Sequence, residues 1–316
     1  MDVERSGLLD QVIIGAEIKA ALEQRAPVVA LESALITHGL PYPKNLEVAS
    51  RLEAEVREQG AIPATIALMD GAIRVGLSSA EISALAQSKD AAKVSRRDIA
   101  AVLVQGRYGG TTVAATMFLA RRQGLTVLAT GGIGGVHRES PNDISADLPT
   151  LADTPMIVVC AGAKAILDLA ATLEYLETSS VTVAGYQTDE FPAFYSRESG
   201  LKLTLRLDSP EAIAELWRRH QAVGLPGALL VANPIRAADS IPQTEIEPLI
   251  EQASAEAVRR GIRGQAVTPF LLDRVSELTG ERSIKANEAL LLNNARLAAQ
   301  IASAIASVRD PMEAKK

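Results

Sequence analysis

Residues 154–167 read TPMIVVCAGAKAIL, and the reading of this stretch decides the fold. The apolar run 156–159 is bounded by Pro155 and Gly162, the pattern of a short, fully buried strand. From Ala163 the apolar residues fall at Ile166, Leu167, Ala170 and Leu173, which is helical spacing. The spacing predicts a strand ending near Cys160, a turn at Gly162 and a helix whose first turn holds Lys164. A lysine is unusual there, because the positive end of the helix dipole disfavours an ammonium and pulls its pKa down. A lysine shifted toward its neutral form at the mouth of an α/β sheet can attack a carbonyl carbon. The plainer reading is a lysine snorkelling to solvent from a helix start.

Outward from this stretch, apolar runs at 28–31, 64–69, 72–75, 125–129, 181–186 and 228–232 read as strands. Helical patterns separate them. Asn45 is placed to cap a helix with apolar face Val48, Leu52 and Val56, and Ser78 with Glu81 reads as a capping box. Gly109-Gly110-Thr111-Thr112 opens another helix, and Ser209-Pro210 a further one. Thr244 with Glu247 opens the first of the C-terminal helices, followed by 267–278 and a long apolar-faced helix at 286–305. Alternating strands and helices predict an α/β fold, three-layer α/β/α on one large sheet. The Asp70-Gly71 hairpin makes that sheet mixed. No repeat or linker interrupts the chain, so residues 1–316 are expected to form a single domain.

Hydrophobic residues make up 47% of the chain and charged ones 22%, the proportions of an ordinary globular protein. The 32 basic and 38 acidic residues leave a net charge of −6, which argues against nucleic acid or an anionic membrane as partner. The one cysteine, Cys160, rules out an internal disulfide and points to a reducing compartment. The start, MDVERSGLLDQ, lacks the pattern of a secretion signal, and no apolar run is long enough to span a bilayer. The expected location is cytoplasmic.

In open α/β sheets ligands bind beyond the carboxyl ends of strands. Four segments follow predicted strands: 32–38, 131–138, 162–164 and 187–195. The run Gly131-Gly132-Ile133-Gly134-Gly135 offers backbone N–H groups to an anion, or else a tight turn that needs positive φ. Lys93, Arg96 and Arg97 can hold a phosphate or form a solvated face. Asp143 and Asp147 are hard oxygen ligands suited to Mg²⁺ or Mn²⁺, and each can equally cap a helix. Glu32, one residue beyond a strand, suits a general acid or base with a raised pKa. His38 and His137 sit beside glycines, whereas His220 reads as a surface residue at a helix end. No nucleophile elbow, Walker loop or Cys/His metal spacing is present.

Several long motifs occur in a recognisable order. They are Ala30-Leu31-Glu32-Ser33 with His38-Gly39, Val94-Ser95-Arg96-Arg97-Asp98 and Gly110-Thr111-Thr112-Val113-Ala114. Ala129-Thr130-Gly131-Gly132-Ile133-Gly134-Gly135-Val136-His137-Arg138 follows, then the segment 143–148 and Val159-Cys160-Ala161-Gly162-Ala163-Lys164. Gly185-Tyr186-Gln187-Thr188 and Asn293-Asn294-Ala295 complete the set. Together they closely resemble the pseudouridine-5′-phosphate glycosidase, or indigoidine synthase A-like, family.

The resemblance implies an α/β/α homotrimer that uses Mn²⁺. The implied activity, of the lyase and glycosidase type, reversibly cleaves the C–C glycosidic bond of pseudouridine 5′-phosphate to uracil and ribose 5-phosphate. By match, Lys164 is the Schiff-base nucleophile, Glu32 the proton donor and Asp143 the metal ligand. Lys93, Val113, His137, Ser145, Ala146, Asp147 and Asn287 match positions that contact substrate or line the active site. The sequence departs from the pattern at Arg236, where many relatives carry proline, and in a short 138–143 segment that bears on metal geometry. Two other classes stay open: a different Schiff-base enzyme on a sugar phosphate, such as an aldolase, and a non-catalytic sugar-phosphate sensor. Uracil release separates the first from the glycosidase. The sensor has no use for Lys164 together with Glu32.

Overall fold

The apolar runs become strands, and the strands belong to a large mixed sheet, as the Asp70-Gly71 hairpin predicts. The computed structural model describes residues 11–138, 140–262 and 267–307. The first ten residues, which carry most of the secretion reading, lie outside these. Among the described residues no helix is long and apolar enough to cross a membrane. The chain divides into two units. The first holds the described parts of Met1–Leu128, Ser209–Leu225 and Ala295–Lys316, and the second holds those of Ala129–Asp208 and Pro226–Asn294.

In the first unit the strands are β1 (Val12–Ile14), β2 (Val28–Leu31), β3 (Ile62–Met69), β4 (Ala72–Val75), β5 (Ala92–Val94) and β6 (Gly109–Thr111). The order is β1-β4-β3-β2, with β6 on β3 and β5 on β6. β4 runs antiparallel along one edge of β3. The other edge takes β2 up to Leu31↔Thr65 and then β6 from Ala67↔Gly110. The end of β2, and Glu32 after it, is thereby delivered beside β6. The helices Lys44–Glu58 and Val113–Arg122 pack against β3.

β7 (Val127–Ala129) reaches the second unit at its last residue. That unit contains β8 (Val136–His137), β9 (Ser140–Ile144), β10 (Ile157–Cys160), β11 (Leu167–Asp168), β12 (Thr182–Tyr186), β13 (Arg206–Leu207) and β14 (Leu229–Ala232). β10, β14, β12 and β13 are parallel neighbours in that order. Every residue of β10 and β14 is buried, which explains their unbroken apolar sequences. β11, β8 and β9 form a separate antiparallel sheet.

Local departures from the sequence reading have plain causes. Gly109–Thr111 is a strand, and the helix starts after it at Val113 with Thr112 as its cap. Thr244 and Glu247 form no capping box, because their helix begins at Gln243 after Pro242 and Glu247 pairs with Arg138. His220 is buried, stacked on Trp217 with ring centroids 5.3 Å apart. Asn45 lies inside its helix, two residues past the cap position held by Pro43. Its Nδ2 donates to the carbonyls of Ile36 (2.7 Å) and Ala86 (2.9 Å), tying three helices together. Asn45→Ala is expected to strand both carbonyls and lower stability by about 1–3 kcal/mol. A denaturant midpoint unchanged from wild type would refute this.

Candidate active site

Lys164 is not in a helix. The helix that follows it begins at Leu169, where Asp168 Oδ1 accepts the Ala171 N–H at 2.9 Å. Ile166 and Leu167 keep the apolar period because both are buried, at a turn and in β11. The dipole argument for a neutral lysine therefore lapses. What holds Lys164 is main-chain pairing beyond the ends of β7 and β10. Ala161 N–H donates to Gly131 O (2.9 Å), Ile133 N–H to Gly162 O (3.1 Å) and Lys164 N–H to Ile133 O (3.0 Å). Two irregular loops thus continue as a short parallel ladder, with an Ile133↔Ala163 bridge. The Lys164 side chain is half-buried.

The glycines of 131–135 serve close packing. None of them has positive φ, so the turn reading fails. A Cβ on Gly132 would lie 2.6 Å from the Phe194 ring, one on Gly134 2.1 Å from Ser145 Oγ and one on Gly135 2.3 Å from Thr172 Oγ1. The anion reading narrows as well, because two N–H groups of the run are used internally: Ile133 N–H by Gly162 and Gly134 N–H by Asp147 Oδ2 at 2.8 Å. Gly162 does carry positive φ (+85°), and a Cβ there would meet Pro192 O at 2.1 Å.

Around this ladder the second unit gathers seven of the expected site residues. Ser145 N–H donates to Gly135 O at 3.0 Å, and the buried Asp147 carboxylate orients Gly134. Exposed Ala146 precedes the helix Asp147–Asp153. Asn287 Oδ1 lies 3.5 Å from where a Gly131 Cβ would stand. His137 pairs with Leu167 across β8 and β11, and Asp143 is exposed on β9. Among the described residues no group of three or more His, Cys, Asp or Glu side chains forms a metal cage. With Asp147 engaged by Gly134, Asp143 suits an ion that keeps most of its water. Cys160 is fully buried, and burial pushes its thiol up to about 12, so it packs and does not react.

The first unit gathers Glu32, Lys93 and Val113. Ser33, next to half-buried Glu32, donates its N–H to Thr111 O (3.2 Å) and its hydroxyl to Ile66 O (2.6 Å). Thr111 N–H returns a bond to Ser33 Oγ at 2.9 Å. Lys93 pairs with Gly110, and Thr112 N–H donates to Val94 O at 2.9 Å, which seats buried Val113 at the helix start. Arg96 stacks on Phe118 (4.7 Å to the centroid), and Arg97, largely exposed, lies 3.5 Å from Asp98, as on a solvated face.

Sequence reasoning gave no supporting role to Asn294, Phe194 or Arg138. Asn294, fully buried, donates to Thr130 O (2.8 Å) and Gly131 O (3.2 Å) and accepts from Asn233 Nδ2 (2.9 Å). A polar residue on the apolar face of the last helix was the available signal. Phe194, at φ +63°, donates its N–H to Ala161 O at 3.1 Å. Arg138 Nη2 donates to Ala165 O at 2.8 Å, and its guanidinium pairs with Glu247.

The family profile described as Indigoidine synthase A like protein matches residues 17–304. The chain belongs to this family. Within it, the chain is 56% identical over 295 residues to a pseudouridine-5′-phosphate glycosidase of Methylobacterium nodulans, covering 93% of this chain and 88% of the relative. It is also 56% identical to the Paracoccus denitrificans protein of that name, covering 94% and 99%. The indigoidine synthase A (IdgA)-like protein of Thermotoga maritima superposes with a TM-score of 0.86 at 38% identity, covering 94% of this chain and 97% of that one. The prealnumycin C-glycosynthase AlnA, solved with ribulose 5-phosphate, gives 0.87 at 40% identity, covering 96% and 99%.

His38, hydrogen-bonded to Thr37 Oγ1 at 2.7 Å, supplies a test of the first cluster. Burial, and secondarily the charge of Lys93, hold its pKa below the ordinary 6.5. Because the folded value is depressed, the unfolded chain takes the proton first, and stability falls as pH drops below about 6.5. Lys93→Met is expected to raise the His38 midpoint by NMR without restoring it fully, since burial is the larger cause. An unmoved midpoint would place Lys93 away from His38.

Proposed function

We propose that this chain cleaves the C–C glycosidic bond of pseudouridine 5′-phosphate reversibly, giving uracil and ribose 5-phosphate. The observation that carries this reading is Lys164, half-buried and fixed by its backbone at the carboxyl end of β10. The relatives' names supply the substrate, and AlnA's sugar phosphate agrees in chemical class. A C-nucleoside has no nitrogen to take the bonding electrons, so a carboxylate pair does not suffice.

The Lys164 amine attacks C1′ while the C1′–O4′ bond breaks, Glu32 gives its proton to O4′, and the adduct nitrogen sheds the proton that C5 of the base later takes up. The lysine-bound, ring-opened sugar then expels the base. The C1′–C5 electrons pass into the uracil ring, C5 takes a proton, and C1′ becomes an imine to lysine. Water hydrolyses the imine to ribose 5-phosphate and free lysine. Lys93, Val113, His137, Ser145, Ala146, Asp147 and Asn287 bind and orient the substrate in this reading. Asp143 would hold Mn²⁺, which supplies a hard charge that orders water. The homotrimer rests on the resemblance alone, since the last helix already buries its apolar face, Leu290, Leu297 and Ile301 included. The cytoplasmic location is supported by the buried lone cysteine.

Borohydride with ribose 5-phosphate should fix a pentose phosphate on the Lys164 peptide, and Lys164→Ala should abolish both labelling and uracil release. Glu32→Gln should bind substrate yet turn over slower by a factor on the order of 10² or more. Labelling confined to Lys93, or near-normal turnover of Lys164→Ala, would remove the nucleophile assignment. Chelation should abolish uracil release and Mn²⁺ restore it; full activity of metal-free protein would dismiss the metal.

A further inference from the structure

Arg138 follows His137 at the end of β8, with about three quarters of its side chain covered. Its Nε donates to Leu167 O at 3.1 Å and its Nη2 to Ala165 O at 2.8 Å. The remaining edge of the guanidinium meets Glu247, on the helix Gln243–Arg259, through Nη1 and through Nη2 at 3.3 Å from Oε2. Leu167 N–H donates to Lys164 O at 3.0 Å, so residues 164–167 form a turn closed by its own hydrogen bond. One planar fork thus ties two carbonyls of that turn, those of Ala165 and Leu167, to a helix. The ladder on Ile133 fixes Lys164 from the N-terminal side. Arg138 fixes it from the C-terminal side.

We propose that Arg138 is a positioning residue that holds the 164–167 turn, and with it the Lys164 amine, in its reactive orientation, with Glu247 as anchor. The inference rests on Lys164 being the nucleophile. Arg138 reaches main-chain carbonyls and a carboxylate, so it acts through Lys164 and not on the substrate. Lysine cannot replace it, because an ammonium has no planar fork to serve two carbonyls and a carboxylate together.

The test compares the full-length wild type, Arg138→Lys and the double variant Arg138→Met/Glu247→Leu. It reads uracil release, the rate of borohydride trapping at saturating ribose 5-phosphate, and the thermal midpoint. Arg138→Lys should lose about tenfold or more in kcat and in trapping rate while KM stays within about threefold. The double variant removes both charges, so no unpaired ion remains, and it frees only the Ala165 and Leu167 carbonyls. It should keep most of the wild-type midpoint and remain slow to trap, an outcome that a merely structural role would not give. A normal trapping rate in Arg138→Lys, or recovery of trapping together with the midpoint in the double variant, would overturn the inference. Failure of the wild type to trap sugar on Lys164 would sink the nucleophile assignment instead, so the two failures are distinguishable.

Discussion

The main-chain ladder between the 130–135 and 161–164 loops is the constraint on which the second unit's site depends. Buried irregular backbone must find partners for its N–H and C=O groups, because water cannot supply them. Here each loop satisfies the other, and Asn294 takes the Thr130 and Gly131 carbonyls. Such close approach forbids side chains at several points, which is why glycine occupies them. Each glycine costs roughly 0.5–1 kcal/mol in chain entropy, and each hydrogen bond returns about 0.5–1.5. The balance favours the ladder only when nearly all of its bonds form together, which makes it an all-or-none support.

The first unit reaches a similar end with hydroxyls. Ser33, Thr111 and Thr116 are buried and hydrogen-bond one another or the Ile66 carbonyl. Ile66 lies in β3 at the point where β2 gives way to β6 along its edge, so its carbonyl lacks a regular ladder partner there. The serine and threonine side chains fill that gap. The same filling fixes the chain direction at Glu32.

Much of the fold was legible in the sequence because apolar periodicity and turn chemistry act locally. Val28–Leu31, Ala72–Val75, Val267–Leu278 and the Ser78 capping box fall where the pattern put them. The failures share a cause. Ile166 and Leu167 continue a helical period, yet pairing with a loop thirty residues away overrides it. Asn45 and Glu247 resemble caps by spacing, but each side chain is drawn to a distant partner that spacing cannot reveal. His220 looks polar and terminal until Trp217, one helical turn earlier, is seen to cover it. The lysine proposed as nucleophile was singled out for a wrong physical reason, a helix dipole that does not act on it.

Phe194 shows how far the structure goes to keep the ladder in place. A bulky residue in the left-handed region costs on the order of 1–2 kcal/mol, and glycine would adopt it freely. Glycine at 194 would still donate its N–H to Ala161 O, so that bond does not explain the aromatic side chain. The ring does. It lies where a Cβ on Gly132 would be and stacks edge-on against Tyr195, with centroids 4.8 Å apart. Tyr195 is itself buried and hydrogen-bonded to Ser283. Removing the ring would leave the α-carbon of Gly132 facing a void on that side, with Gly162 O its remaining close neighbour. Backbone strain at Phe194 is thus exchanged for dense packing against Gly132, two residues from the amide of Gly134 that Asp147 holds.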